Sequence, residues 1–248
     1  MIGNTIYKNF LLFLSLNAIL DSQYDIIAIF FSNKMLLYNT MKTKDEKIPS
    51  FTAIILAGGK SSRMGSYKNK SMLRLNGKYL IDIVRSKLKC VVGDNIIIVG
   101  PPEKYLSYTQ VVPDLFSQKG PLAGIYSGLR ASPSQYNIVV GCDMPFLEVK
   151  LLQYMSEDIN YYDIVIPRYG DGYIEPLCAI YSKRCLDAIE RNLAKHNFSV
   201  RAIFPHLKVK FVEDKVIKKF DPEFYSFFNI NYKKDMIEAE KIINNRRE

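Results

Sequence analysis

The middle of the chain contains a series of short apolar runs that restrict the possible folds. The runs are FTAIIL (51–56), NIIIV (95–99), YNIVVG (136–141) and YDIVIP (162–167). They are rich in Ile and Val and nearly unalternating, which is typical of strands that are covered on both faces. Such strands belong to mostly parallel sheets with crossover helices on each side. The runs therefore predict an α/β fold.

Amphipathic stretches between and after these runs supply the helices that such a sheet needs. In 78–89, the four side chains Leu80, Ile81, Val84 and Leu88 fall on one helical face. Further helices are predicted at 121–131, with Pro121 in its first turn, at 149–157 and at 233–245. No linker divides the chain after residue 51, so we expect 51–248 to be one domain.

The N-terminal stretch differs from the remainder. Residues 1–40 contain two lysines and two aspartates, so the net charge of +9 on the 248-residue chain resides in 41–248. The apolar run 10–20 is too short for a bilayer crossing, which takes about 20 residues, and no small-x-small cleavage pattern follows it. We expect Met41 to be the true start, residues 1–50 to be a loose or upstream extension, and the protein to have no membrane segment.

Cysteine and histidine usage excludes several kinds of site. The four cysteines form no Cys-x-x-Cys pair, and their apolar surroundings suit buried thiols, which favours the reducing cytoplasm. The two histidines lie far from any cysteine pair, so no zinc finger or ribbon can be assembled locally. The sequence suggests no His-dependent catalytic triad.

A glycine-containing segment, AIILAGGKSSRMG, follows the first predicted strand. Gly58 and Gly59 let the backbone approach a ligand closely, and Lys60 and Arg63 suit phosphate. The segment is not a Walker loop, because Ile54 stands where the first glycine belongs, and it does not fit the dinucleotide fingerprint. A plain glycine turn with solvated basic residues is the alternative interpretation, which further lysines and Gly65 downstream weaken.

Several segments together resemble one enzyme family. LAGGKSSRMG followed by KSMLRLNGKYLI resembles nucleotidyltransferases with the sugar-nucleotide-transferase fold. Four more segments are similar to the molybdenum cofactor guanylyltransferase family: PDLFSQKGPLAGIYSGL (113–129), VVGCDMPFL (139–147), DGYIEPLCAIY (171–181) and FFNINYKKDM (227–236). They occur in the family's order. The resemblance covers about 51–240 and implies a three-layer, mostly parallel Rossmann-like sheet of the nucleotide-diphospho-sugar transferase type.

The resemblance also implies an activity. Enzymes of this family transfer GMP from GTP to the terminal phosphate of molybdenum-molybdopterin, form molybdopterin guanine dinucleotide, release pyrophosphate and use Mg²⁺. GTP and molybdopterin are thus the implied substrates, and molybdoenzymes or molybdenum-insertion proteins are the implied protein partners. Both substrates are anions, which accounts for part of the charge of +9 without nucleic acid.

Roles for the glycine segment follow from the same resemblance. Leu56, Ala57 and Gly58 would contact the guanine nucleotide, while Arg63 and a lysine would neutralise the triphosphate as catalytic cations. The spacing from Arg63 is closer to Lys68. The spacing to Gly77 selects Lys70 instead, and we choose Lys70 because KSMLRLNG is the more continuous match.

Two aspartates are implied to complete the site. Asp143, directly after a predicted strand, corresponds to the family's catalytic, nucleotide-contacting and magnesium-binding aspartate, although an Asp-x-Pro can also simply cap a turn. Asp114 corresponds to a nucleotide-binding aspartate, and a carboxylate can accept two hydrogen bonds from the guanine edge. Asn229 and Asn231 are possible helpers of Asp143. One departure is that Val99-Gly100-Pro101 stands where close relatives can have a nucleotide-contacting asparagine after the second strand.

The segments nearest the implied acceptor contain several charged residues. These residues are Arg168, Glu175, Pro176, Arg201, Lys208 and Lys210. We expect the acceptor to lie near them. The alternative interpretation is a solvated basic surface.

Three other functions fit parts of the sequence. A cytidylyltransferase acting on molybdopterin or on a sugar or polyol phosphate would share the loop, the magnesium site and the fold. A nucleic-acid-binding module is motivated by the charge, but the aromatic residues lie mostly in apolar runs rather than between Lys and Arg. A catalytically silent partner protein is disfavoured by the intact loop and Asp143.

Overall fold

The computed structural model of the chain describes residues 50–58, 70–116, 119–157 and 159–245. The predictions for Met41 and for residues 1–49 of the extension therefore lie outside the described residues, as do those for Arg63 and Lys68. The residues from 49 onward form one compact unit. No helix within the described ranges has the length and apolar character that a bilayer crossing requires.

A mostly parallel sheet lies at the centre of the fold. The strands are β1 (Phe51–Leu56), β2 (Arg74–Leu75), β3 (Lys78–Tyr79), β4 (Ile96–Val99), β5 (Val111–Val112), β6 (Tyr136–Gly141), β7 (Ile164–Tyr169), β8 (Tyr173–Ile174), β9 (Cys178–Ser182) and β10 (Val209–Glu213). Within the described residues, eight of them form one sheet in the order β10-β7-β9-β6-β1-β4-β5, with β8 paired to β7. Only β8 and β9 run antiparallel to their neighbours in it. β2 and β3 form a separate antiparallel ribbon.

Helices cover both faces of this sheet. They are α1 (Leu80–Val92), α2 (Pro121–Ala131), α3 (Val149–Glu157), α4 (Leu186–Ala194), the short α5 (Asp214–Ile217) and α6 (Lys233–Asn245). In β1, Ala53 and Ile55 pack with α1 and α3 on one face, and Ile54 and Leu56 pack with α2 and α4 on the other. The alternation in β1 therefore separates two apolar cores. This arrangement confirms the prediction of a three-layer α/β fold with a mostly parallel sheet.

A third, smaller core brings the C-terminal helix to the site. Apolar side chains of α6 pack against the β2–β3 ribbon and the start of α1. The same cluster contains Ile230, and the Lys70 Nζ atom donates to the adjacent Asn231, so the segment that carries Asn229 and Asn231 lies beside the turn Lys70–Met72. Residues far apart in sequence are thereby placed near one another.

The strand order also locates a binding crevice. From β1 the chain continues to β4 and β5 on one side, and it then returns to β6 on the other side of β1. The strand order thus reverses between β1 and β6. In open α/β sheets, ligands bind outside the carboxyl ends of the strands at such a switch point.

Candidate active site

The carboxyl ends of β1 and β6 lie side by side at the switch point. Leu56 is in register with Gly141, and the Cys142 N–H donates to the Leu56 carbonyl at 3.1 Å. Gly58 therefore emerges from one strand at the same edge of the sheet where Asp143 emerges from the other. The sequence places both residues just after apolar strands, and the parallel pairing of those strands brings them to one edge.

The Asp143 side chain folds back over the end of its own strand. A Cβ on residue 141 would lie 2.7 Å from the Asp143 Oδ1 atom, so only a glycine leaves room for this carboxylate position. The Asp143 carbonyl in turn accepts a hydrogen bond from the Ile230 N–H at 2.9 Å. The backbone of Asp143 is thus tied to the C-terminal segment. Gly141 was not among the predicted site residues, although it directly precedes Cys-Asp in the sequence.

Lys70 faces Asp143 across the crevice. Its Nζ atom lies 3.7 Å from the Asp143 Oδ2 atom, and both side chains are 18% exposed. The same ammonium donates to the Asn231 Oδ1 atom at 2.6 Å. The structure thus brings together a cation, a carboxylate and an amide oxygen. Because Lys68 lies outside the described residues, the choice between the two lysines stays a prediction.

Burial makes the carboxylates at this edge costly to ionise. Burial raises the pKa of Asp143, although the Lys70 charge, a backbone hydrogen bond and the Lys70 hydrogen bond counteract part of that shift. Burial also raises the pKa of Glu175, against its hydrogen bonds with the Leu177 N–H and the Asn229 side chain, and the Asp143 charge adds to the shift. Two mutually repelling, partly desolvated carboxylates favour a cation between or beside them.

The donor chemistry of this cluster fits a magnesium ion. Asp143 offers a carboxylate, and Asn231 offers an amide oxygen at the same place. Mg²⁺ prefers hard oxygen ligands and is usually bound by one or two protein carboxylates together with substrate phosphates and water. Lys70 would then be a second, fixed cation for a phosphate-bearing ligand.

The thiol beside Asp143 is not an activated nucleophile. Burial raises the pKa of the Cys142 thiol far above its ordinary value, and the neighbouring Asp143 charge raises it further, outweighing the Lys70 charge. A thiol in this state stays protonated at neutral pH, and thiolates are the reactive form of cysteine.

The three residues at the end of β1 that are predicted to contact the nucleotide differ in how far their atoms are already engaged within the protein. The Leu56 side chain packs over Gly124 of α2, where a Cβ would meet it at 3.3 Å. The Ala57 N–H donates to the Val99 carbonyl at 2.8 Å, and the Ala57 carbonyl accepts from the Tyr105 hydroxyl at 2.8 Å. Gly58 is exposed. Of the three, Gly58 is best placed to offer backbone to a ligand.

Asp114 lies at the same edge of the sheet but further along it, just after β5. Its Oδ1 atom accepts from the Phe116 N–H at 3.1 Å and from the Ser127 hydroxyl of α2 at 3.2 Å. These bonds orient the half-buried carboxylate against the helix. Its contact with guanine stays a prediction.

Two of the basic residues predicted near the acceptor, Arg168 and Arg201, are engaged in local interactions. The Arg168 Nε atom donates to the Glu213 Oε2 atom at 3.1 Å, and the guanidinium lies 4.3 Å from the Phe211 ring centroid. Arg201 donates to the Gly172 carbonyl at 2.7 Å. These contacts favour a structural role for Arg168 and Arg201.

Comparisons with known proteins agree with this architecture. Residues 53–210 match the family model described as "MobA-like NTP transferase domain". The molybdenum cofactor guanylyltransferase of Desulfosudis oleivorans is 38% identical over 194 residues, which are 77% of this chain and 95% of that protein. A probable molybdenum cofactor guanylyltransferase of Methanosarcina mazei is 34% identical over 79% of this chain and 92% of its own length.

Solved structures give the same grouping. Molybdopterin-guanine dinucleotide biosynthesis protein A from Archaeoglobus fulgidus superposes with a TM-score of 0.67 at 29% identity, over 78% of this chain and 99% of that one. The 4-diphosphocytidyl-2C-methyl-D-erythritol synthase of Anaerococcus prevotii superposes with a TM-score of 0.59 at 20% identity, over 79% of this chain and 96% of its own. The second likeness shows the fold alone.

Proposed function

The chain belongs to the MobA-like NTP transferase family, and from that membership we propose that it transfers GMP from GTP to the terminal phosphate of molybdenum-molybdopterin. The products are molybdopterin guanine dinucleotide and pyrophosphate. The observation that carries the proposal is the pair formed by Lys70 and Asp143, 3.7 Å apart at the switch point of the sheet. This pair offers a fixed cation and a metal-binding carboxylate where the fold binds nucleotides.

Asp143, together with Asn231, is the group that would hold Mg²⁺ at this site. The ion would supply charge neutralisation for the phosphate oxygens, which is what metals contribute to phosphoryl and nucleotidyl transfer. The protein's own contribution is to keep the carboxylate in one place. Gly141 leaves room for it, and the hydrogen bond from the Ile230 N–H holds its backbone.

Lys70 would stabilise the charge that develops as pyrophosphate leaves. Its ammonium is already oriented by Asn231 and Asp143, so little reorganisation is needed when a triphosphate arrives. Preorganised cations of this kind are among the largest contributions to catalysis. Arg63 is proposed to act as a further cation on the triphosphate.

The acceptor itself provides the nucleophile. A phosphate monoester has a second pKa of about 6, so it is largely dianionic near neutral pH. One of its oxygens attacks the α-phosphorus of GTP in line, a new P–O bond forms, and the bond to the β-phosphate bridging oxygen breaks with release of pyrophosphate. No proton has to be removed by the protein, because the attacking oxygen is already ionised.

Recognition of guanine is proposed to involve the two ends of the crevice. Gly58 would approach the nucleotide through its backbone, with Leu56 and Ala57 shaping the floor beneath. Asp114 would accept hydrogen bonds from the guanine edge. The alternative of cytidylyl transfer is not favoured, because the relatives at 34–38% identity are named guanylyltransferases.

The decisive experiment compares two nucleotides with one acceptor. Purified protein is incubated with Mg²⁺, molybdenum-molybdopterin and either GTP or CTP labelled at the α-phosphate, and the dinucleotide and pyrophosphate are quantified. We expect label transfer from GTP and little from CTP. Transfer from CTP alone would overturn the proposal in favour of a cytidylyltransferase. Binding of random DNA without turnover of either nucleotide would overturn it in favour of a nucleic-acid-binding module.

The cytoplasm is the compartment in which we expect this reaction. Each of the four cysteines, all of which lie within the described residues, is a free thiol; Cys142, Cys178 and Cys185 are buried as expected, whereas Cys90 is exposed and the expectation is wrong for it. Free thiols of this kind are typical of a reducing compartment. Molybdoenzymes or molybdenum-insertion proteins are the proposed recipients of the product.

A further inference from the structure

We propose that Tyr105 is a positioning residue of the nucleotide site. Its phenol links the end of β1, which leads to Gly58, with the turn that contains Lys70. It thereby sets the distance between the Gly58 backbone and the Lys70 ammonium. The inference rests on the proposed nucleotidyl transfer and adds to it a residue that no motif in the sequence indicated.

The geometry at the Tyr105 hydroxyl carries this inference. Tyr105 is fully buried, although it follows β4 in a connecting segment. Its hydroxyl donates to the Ala57 carbonyl at 2.8 Å and lies 2.7 Å from the Ser71 Oγ atom. A phenol has one proton to donate, so the Ser71 hydroxyl is the donor in the second bond. One oxygen atom thereby joins the residue before Gly58 to the residue after Lys70.

The space for this ring depends on Gly100. A Cβ on residue 100 would lie 2.9 Å from the Tyr105 Cε2 atom and 3.3 Å from the Ala57 carbonyl carbon and oxygen. A side chain at residue 100 and the observed ring position are therefore incompatible. Glycine at this position therefore admits the buried Tyr105 ring beneath Ala57.

The consequence for the site is geometric. Ser71 belongs to the same 3-10 turn as Lys70, and Lys70 reaches Asp143 from that turn. Loss of the phenol oxygen would leave the Ala57 carbonyl and the buried Ser71 hydroxyl without this shared partner, so the turn and the end of β1 could shift relative to each other. A misplacement of about 1 Å can cost on the order of 100-fold in turnover.

The test compares Tyr105→Phe with a matched control, Tyr108→Phe. The Tyr108 ring packs edge-on against Tyr105 with centroids 6.1 Å apart, and its hydroxyl donates to Asp82 of α1 at 2.9 Å. Each variant keeps its ring and loses one hydroxyl. Only the Tyr105 variant loses the link between Ala57 and Ser71, so a purely structural effect is expected to be similar in both.

Steady-state kinetics with Mg-GTP and molybdenum-molybdopterin, at a temperature where both variants are fully folded, provide the readout. We expect Tyr105→Phe to lower kcat/KM for GTP by about 10-fold or more and to weaken Mg-GTP binding in calorimetry, with the acceptor KM changed less than about 2-fold. We expect Tyr108→Phe to stay within about 2-fold. In a cycle with Ser71→Ala, the double variant should lose little more than Tyr105→Phe alone, since both changes remove one shared bond.

Equal kcat/KM and equal Mg-GTP affinity in Tyr105→Phe and wild type would refute the positioning role. If Tyr105→Phe does not fold, Ser71→Ala replaces it and is held to the same criteria. Failure of the proposed function gives a different result, because wild-type protein would then bind a nucleotide without making the guanine dinucleotide. In that case the positioning role is judged by the affinity of each variant for whichever nucleotide wild type binds.

Discussion

Replacing Gly141 by alanine should slow guanylyl transfer strongly without unfolding the protein. The φ of Gly141 is not in the left-handed region, and the residue lies in the regular strand β6, so alanine is compatible with its backbone. The added Cβ would lie 2.7 Å from the Asp143 Oδ1 atom and 3.4 Å from the Met144 side chain. The Asp143 carboxylate can yield by rotating, because it is the end of a short side chain. The fold therefore tolerates the change, but the carboxylate moves.

The size of the movement sets the expected loss. An ordinary contact of 3.4 Å requires the Oδ1 atom to move by 0.7 Å from the 2.7 Å position. A displacement of about 1 Å at a reacting centre can cost on the order of 100-fold, so we expect kcat/KM to fall by about 10- to 100-fold. The free energy of unfolding should stay the same or rise by up to about 1 kcal/mol, because alanine reduces the conformational entropy of the unfolded chain.

Gly128→Ala is the matched control. A Cβ on Gly128 of α2 would lie 2.5 Å from the Ile54 Cγ2 atom and 3.2 Å from the Val99 Cγ2 atom, deep in the core and away from Asp143. Overpacking of this kind costs about 1–3 kcal/mol. We expect Gly128→Ala to lower the Tm while the folded fraction keeps its turnover, which is the opposite pattern.

The assay is guanylyl transfer at several Mg²⁺ concentrations, with unfolding followed by circular dichroism. Wild-type kcat/KM in a fully folded Gly141→Ala protein would refute the reasoning, because the position of the Asp143 carboxylate would then be irrelevant to turnover. Equal losses of stability and activity in both glycine variants would also contradict it, since the two positions differ in what the added methyl group meets.

Two further predictions concern single charges. Lys70→Ala should lower kcat far more than Lys68→Ala in the same transfer assay, because the Lys70 ammonium lies 3.7 Å from Asp143; equal losses would contradict the assignment. Asp163→Asn should destabilise the protein at pH 7 by about 1–3 kcal/mol. Burial opposes ionisation of Asp163, but the hydrogen bonds from the Lys208 N–H and the Arg184 guanidinium outweigh this effect and lower its pKa. Because the folded pKa is depressed, this difference should persist down to the unfolded pKa of about 3.9 and close as the pH falls further; a difference that is the same at pH 2.5 and pH 7 in urea titrations would contradict this.

The strands and helices that could be predicted are those whose pattern is local. The strands 51–56 and 136–141 and the helices 121–131, 149–157 and 233–245 begin and end where the apolar patterns predict. Helix α1 starts two residues later than expected, because Lys78 and Tyr79 form the ribbon strand β3. Local periodicity shows which side of a helix is apolar, but it does not show whether the first residues of the pattern join the helix or pair with a neighbouring strand.

The parts that could not be predicted depend on contacts between distant residues. Strand β9 is inserted antiparallel between β6 and β7, and no feature within Cys178–Ser182 specifies that neighbour. The hydrogen bond from Lys70 to Asn231 joins residues 161 positions apart. Tyr105 carries no signal at all, because a tyrosine after Pro-Pro-Glu-Lys looks like a surface residue until Gly100 is seen to make room for it.

The buried carboxylates and the lysine of the crevice suit a ligand that carries both a metal ion and phosphate groups. Burial raises the pKa of both Asp143 and Glu175, and the Asp143 charge raises that of Glu175 further, so a cation close to these carboxylates favours their ionised forms. A metal-bound triphosphate brings positive charge to Asp143 and negative charge to Lys70 at once. Asp143 then gains the metal ion as a partner, and Lys70 gains the phosphate oxygens. Metal and nucleotide binding should therefore reinforce each other, because either one alone leaves an opposite charge in the crevice uncompensated.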